Sequence, residues 1–395
     1  MSLDFQQVRQ QLQHLIESAP EREEIKQSKL EQARQLLSEH AENLDYLRDK
    51  ARRAAALDQF FRSAVPVEEA LNGSFPLPEI PSEATIIAAD GSQINPDRHL
   101  GTDYCLVNVG AITMGIGQKT APKATVQTQL YYGDEIFSMQ EKIVALIRDM
   151  REREMLAELA EGLTGTIVTF TDGPVELWGR DVALDAEEVK EESSYFQRYL
   201  EALSRLHALD TITAGYVDRP RSDLMVRLLE LAPEDIMVND IRGNRWLRPI
   251  LDTDLLNRTL KPGHRSAIFE LLSRTSHKYQ HPFSLHFFYL NVSLDEKKSM
   301  LARIEIPAWV AQNQTKVDAL HAILVHQCQI VPTRRYPYLL MRADETAVVT
   351  RDEKEQVDSM IARELYLRGL ETADKSEKQQ SKEAARSKPK RKKGI

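Results

Sequence analysis

Two stretches of the chain, TIIAADGS at 85–92 and GTIVTFTDGP at 165–174, share one pattern: a β-branched apolar run that closes on Asp-Gly. A run with no polar alternation reads as a strand covered on both faces, which requires helices packed on both sides of a sheet. Asp90 and Asp172 are thereby placed at strand ends. Asp-Gly is also a common turn dipeptide, so each acid alone is explained by turn chemistry. Two such endings point further, to acids meeting at the carboxyl edge of an α/β sheet, where such folds bind ligands.

The segments around them fix the order. YCLVNVGAITMGIG at 104–117 and KATVQTQLYYGDEI at 123–136 are β-rich, and a charged helix is expected over about 138 to 162. After the second Asp-Gly strand come a helix at 186–208, the strand TITAGYVD and a short helix at 222–231. Three strands, then helix, strand, helix, strand, helix predict an α/β fold with a ribonuclease H-like mixed sheet and flanking helices. FSLHFFYLNV, LARIEIPAWV, a helix at 315–329, RRYPYLLMRADETAVV and a last helix at 352–369 complete the domain, assigned to 85–370.

Residues 1–63 read as a long helical, coiled-coil-like region. From Leu30 the positions Leu30, Ala33, Leu37, His40, Leu44, Leu47, Ala51 and Ala54 alternate in threes and fours. That spacing fits an antiparallel hairpin, a dimer coiled coil or a helix lying on the body. Residues 64–84, with Pro66, Pro76, Pro78 and Pro81, are read as a linker. Residues 371–395 carry nine Lys/Arg against four Asp/Glu and read as a disordered basic tail. The net charge of -8 therefore divides into +5 on the tail and -13 on the rest, which leaves a DNA-binding channel possible on an acidic body. No apolar stretch approaches the roughly 20 residues of a membrane span, so a soluble, cytoplasmic protein with no membrane partner is expected. Cys105 and Cys328 are too few for a disulfide framework or a Cys-based zinc site.

The helix between the two aspartates offers Glu152, Glu154, Glu158 and Glu161. Its stripe Ile143, Leu146, Ile147, Met150, Ala157 puts Glu154 at the centre of the buried face and turns Glu152 the opposite way. Leu156, Leu159 and Leu163 form a second stripe, so the helix has two faces to cover. Glu154 is preferred over Glu152, because a buried carboxylate needs a partner and a metal shared with Asp90 and Asp172 supplies one. Carboxylate oxygens select hard ions such as Mg2+ and Mn2+, which activate water for phosphodiester cleavage. The segment GAITMGIGQKT at 110–120 imitates a phosphate-binding loop, but Gln118 separates the last Gly from Lys119 and the surroundings read as strand.

The motifs IIAADGS, IVTFTDGP, AGYVDRPRS, LKPGHRSAIF, FFYLNV, ARIEIPAWV and YPYLLMRADETAVV, in that order, resemble the bacterial members of the NurA nuclease family. The resemblance covers about 85 to 370. It implies a ribonuclease H-like core, a homodimer around a DNA channel, manganese-dependent nuclease activity with 5′ to 3′ polarity, and partnership with the hexameric HerA ATPase in end resection. Carried across, the metal-binding and catalytic residues are Asp90, Glu154, Asp172 and Asp344, with Tyr336 as the tyrosine of the Tyr-Pro motif. Asp344 stands where archaeal members often have histidine, and a carboxylate cannot act as a neutral imidazole base. Arg265 and Arg303 are candidates for gripping DNA phosphates, beside an ion-pair reading for each. His264 and His286 read as satisfied polar residues. Two rival functions remain: a catalytically inactive docking module for a DNA translocase, and an actin-like ATPase.

Overall fold

The computed structural model describes residues 3–96, 104–118, 120–132, 141–177, 186–234, 244–293 and 299–369. The basic tail 371–395 and Lys119 lie outside them. In chain order the helices and strands begin with α1 Phe5–Glu17, α2 Ala19–Glu39, α3 Leu44–Leu57, β1 Ser63–Pro66, β2 Ser74–Phe75, β3 Ala84–Ile94, β4 Tyr104–Ile116 and β5 Lys123–Tyr132. They continue with α4 Glu141–Ala160, β6 Ile167–Asp172, α5 Ala186–Ala208, β7 Ile212–Val217, α6 Leu224–Leu229, α7 Asp252–Leu256, β8 Arg265–Ser266 and β9 Phe269–Leu272. The last are β10 Leu285–Asn291, β11 Leu301–Pro307, α8 Ala308–Ala311, α9 Gln314–Ile330, α10 Tyr338–Ala347 and α11 Arg351–Leu367. The fold is mixed α/β, with the expected ribonuclease H-like order of three strands, helix, strand, helix, strand. Two compact units share the chain: Met1–Ser82 with Asp172–Glu176 and Ile212–Tyr338, and Glu83–Thr171 with Leu177–Thr211 and Leu339–Ile395.

In the second unit β4 lies antiparallel between β3 and β5, and β6 runs parallel to β3 on its other side. The β-branched run of β3 is buried from Ala84 to Ala89, as a strand between two helical layers must be. The strand does not stop at the acid, however. Its ladder to β4 continues through Asp90–Gly110 and Gly91–Val109 to Ile94–Leu106. What ends near Asp90 is the parallel register with β6, whose last pair is Ala89–Thr171.

The segment that imitates a phosphate-binding loop starts at Gly110 within β4, and the strand runs on to Ile116. Gly110 is glycine because a Cβ there would lie 2.7 Å from the Ala347 nitrogen and 2.9 Å from the Ala343 oxygen, so α10 crosses directly on the strand. Ser92 and Asn108 both donate to the Ala347 carbonyl, at 2.5 and 2.7 Å. Val349 N–H returns a bond to Ser92 Oγ. Beyond it, a capping box of Thr350 and Glu353 starts α11, and Val349, Val357 and Ile361 cover Ile94, Tyr104 and Leu106.

In the first unit β1, β9, β10, β11 and β7 form an antiparallel series. The N-terminal region is three helices rather than one. Leu30, Ala33, Leu37, Leu47, Ala51 and Ala54 are buried, with α2 against α6 and α7 and α3 against β1. The buried positions of the heptad-like stripe thus face their own unit. The Pro-rich stretch read as a linker holds β1 and β2 and buries Val65 and Leu71. Both cysteines are buried and neither is in a disulfide.

Candidate functional site

Helix α4 packs on β3 and β4 and against α5, so it is covered on two sides. Burial accordingly takes in Ile143, Leu146, Ile147 and Met150 and also Glu152 and Arg153, which are 5% and 2% exposed. The sequence reading turned Glu152 outward; the structure turns it in. Its carboxylate lies over β3 at the residue after Asp90, where a Cβ on Gly91 would come within 2.7 Å of Glu152 Oε1 and 2.5 Å of Arg148 Cγ. The glycine of the Asp-Gly pair is therefore required by α4 and not by a turn.

Asp90 is half-buried, and one of its carboxylate oxygens accepts the Gly91 N–H at 2.8 Å. On α4, Asp149 accepts both Nε (3.2 Å) and Nη2 (2.8 Å) of Arg148. Glu152 has only a 3.5 Å ion contact with Arg148 Nε, and no described side chain or backbone group donates a hydrogen bond to it. Burial pushes the Glu152 carboxyl well above the usual carboxylate range, and the negative charges of Asp149 and Asp90 push it the same way. Asp149 is raised too, by burial, with Arg148 opposing. Burial works against the Arg148 guanidinium, but Asp149, Glu152 and Asp90 outweigh it and hold the charge on. Arg153, 2% exposed, donates to Thr171 at 3.0 Å, while its Nε and Nη1 make no hydrogen bond.

Glu154 is arranged differently. Arg151 donates to it at 2.7 Å and Arg198 of α5 forks onto both of its oxygens at 3.0 and 3.1 Å. Its valences are filled by arginines, and this clamp joins α4 to α5. Of the remaining candidates in the second unit, Asp344 is exposed on α10.

The first unit holds the others. Asp172 is an exposed acid ending β6. Tyr336 is half-buried and stands edge-on to Tyr216, with centroids 5.4 Å apart. Arg265 is buried, forked onto Glu69 at 2.7 and 2.9 Å and stacked over Phe75. Arg303 is buried and bonded to Glu305 at 2.6 Å. Both arginines occupy the ion-pair role left open by the sequence and present no guanidinium to the surface. His286 is buried with its Nδ1 3.0 Å from the Ser284 oxygen, and His264 lies 3.0 Å from Ser74 Oγ.

Asp90, Asp149 and Glu152 offer oxygen ligands, the chemistry of a hard divalent ion, and a buried carboxylate without a hydrogen-bond donor fits a cation ligand. Among the described residues no group of three or more His, Cys, Asp or Glu side chains is spaced to hold an ion. Arg148 and Asp149 were not singled out from the sequence. The signal available was an acid at i and i+3 on α4 with an arginine at i-4 from the second.

The model of the NurA domain matches residues 84–349, two thirds of the chain. The chain belongs to the NurA family. No curated protein matches it. Among solved structures, a NurA crystal structure with manganese is 12% identical, with a TM-score of 0.44 over 73% of this chain and 91% of that one. A NurA bound to dAMP and manganese is 11% identical, with a TM-score of 0.38 over 80% of this chain and 92% of that one. The catalytic domain of human Endonuclease V is 13% identical, with a TM-score of 0.31 over 81% and 98%. Among the described residues, no helix is long and apolar enough to cross a membrane.

Proposed function

We propose that this NurA-family chain is a divalent-metal-dependent deoxyribonuclease whose principal metal-holding carboxylates are Asp90 and Glu152. The observation that carries the reading is Glu152: a buried carboxylate beside two other acids, with no hydrogen-bond donor among the described residues to offset its burial. Glu154 gives way to Glu152 in this role because two arginines already saturate it. Asp172 is proposed as a further acid on the strength of the family resemblance, with Tyr336 and Asp344 as accessory site residues. A bound Mn2+ or Mg2+ supplies activation of water and stabilisation of the leaving oxygen in phosphodiester hydrolysis. The chain's own residues fix the ligands: the β3 ladder sets Asp90 and α4 sets Glu152. A homodimer on DNA, a HerA-type ATPase as partner and 5′ to 3′ end resection belong to the same proposal.

The test is cleavage of linear DNA with Mn2+ or Mg2+ by the wild type, Asp90→Asn, Glu152→Gln, Asp172→Asn and Glu154→Gln. Loss in the first three with retention in Glu154→Gln supports the assignment. Loss in Glu154→Gln with full activity in folded Glu152→Gln overturns it. An inactive wild type with either ion leaves the chain a docking module.

A further inference from the structure

The acid cluster on α4 already has a cation of its own. Arg148 stands one turn before Glu152, its stem packed on Gly91 and its guanidinium between Asp149 and Glu152. The two contacts are unequal. Asp149 takes two hydrogen bonds, at 2.8 and 3.2 Å, whereas Glu152 is met only by Nε at 3.5 Å, too far for a bond of ordinary strength. One side of the guanidinium is anchored and the other is a charge held near a carboxylate that has no other offset from a hydrogen bond. Arg153, the neighbouring cation, spends its one bond on Thr171.

We propose that Arg148 is a built-in counter-cation that neutralises Glu152 in the metal-free chain and competes with a divalent ion for it, remaining held by Asp149 when the ion takes Glu152. The inference rests on the metal-site reading above. The repulsion among Asp90, Asp149 and Glu152 is thereby offset by a side chain from the same helix. The counter-cation also sets a penalty on metal binding, because the ion must replace an existing charge contact rather than fill a bare one.

Mn2+ binding by the full chain without DNA tests it, read by calorimetric titration and by the metal-induced rise in melting temperature. Arg148→Gln is expected to lower the melting temperature without metal and to bind Mn2+ about tenfold tighter, the scale of one half-buried charge contact. Arg151→Gln, the same loss of charge on the next turn but against Glu154, should stay within about twofold of the wild type. Should Arg148→Gln fail to fold without metal, Arg148→Lys decides: lysine lacks the Nε that meets Glu152, so Mn2+ should bind about threefold tighter. Unchanged or weaker Mn2+ affinity in the Arg148 variants, with binding abolished in Glu152→Gln, overturns the inference and leaves the metal site standing. An equal gain in Arg151→Gln also overturns it, because the effect is then net charge. Wild-type Mn2+ binding that is absent, or indifferent to Glu152→Gln and Asp90→Asn, overturns the metal-site reading itself.

Discussion

Each unit buries acids, and the two sets are treated in opposite ways. In the first unit Glu305, fully buried on β11, accepts the backbone N–H groups of Val175 and Glu176 at 2.9 and 3.2 Å and pairs with Arg303 at 2.6 Å. Asp252, also fully buried, accepts the Val226 N–H at 2.9 Å and the Tyr289 hydroxyl at 2.5 Å, and Ser222 completes the chain of bonds. In the second unit Glu152 is nearly as buried and has one 3.5 Å contact. Burial of an acid therefore says little about chemistry, and the balance of donors around it says more. Satisfied networks hold a fold together, whereas Glu152 has a single long contact with Arg148 among the described residues.

The comparison breaks most visibly at Asp90 and Glu152. Asp90→Asn and Glu152→Gln are each expected to lower metal-dependent cleavage by about two orders of magnitude or more, measured on linear DNA with Mn2+. Metal-free stability should hold or rise, because a like charge is removed. Glu305→Gln should instead cost about 3–5 kcal/mol in denaturant unfolding, since Arg303 is left buried without its ionic partner. A folded, stable but inactive Glu305→Gln protein would break the comparison outright.

Asp252 sharpens it through pH. Burial raises its carboxyl to about 6 from 3.8, against the bonds from Tyr289 and Val226. A raised folded pKa means stability that is present below the unfolded value of about 4 and is lost as pH rises through 6. The size is about 3 kcal/mol for a shift of roughly two units. Melting curves between pH 4 and 7 should show this fall in the wild type and not in Asp252→Asn. The smallest effect is expected at Glu154→Gln, about 1–2 kcal/mol from the loosened α4–α5 clamp, with cleavage retained in the folded protein.

Much of this was legible in the sequence because it depends on local pattern. The runs before Asp90 and Asp172 are strands and the segment 141–160 is a helix, since β-branched runs and helical periodicity carry their own signals. The extent of β3 was not legible, because its ladder beyond Gly91 is held by β4 and not by the propensity of Gly-Ser-Gln. Nor was the choice between Glu152 and Glu154. With two stripes on α4 the face toward β3 is decided by what covers the other side, and Arg198, 44 residues on, is what claims Glu154. Arg265 shows the same limit: Glu69, 196 residues earlier, accounts for it, and no spacing rule reaches that far.

The two hydrogen bonds from Ser92 and Asn108 to the Ala347 carbonyl have a consequence for trimming of the chain from its C-terminal side. Degradation that enters from the C-terminal side and consumes α11 uncovers Ile94, Tyr104 and Leu106 and removes the Asp358 carboxylate that accepts the Tyr104 hydroxyl, yet leaves Ser92 and Asn108 bonded to Ala347. Trimming that passes Ala347 removes the acceptor of two side chains, one of them buried in the sheet, and further loss of Thr346 and Ala343 uncovers Gly110. The carbonyl of one alanine thus holds two side chains of β3 and β4 at once, and a protease that stalls within α11 leaves both bonds in place.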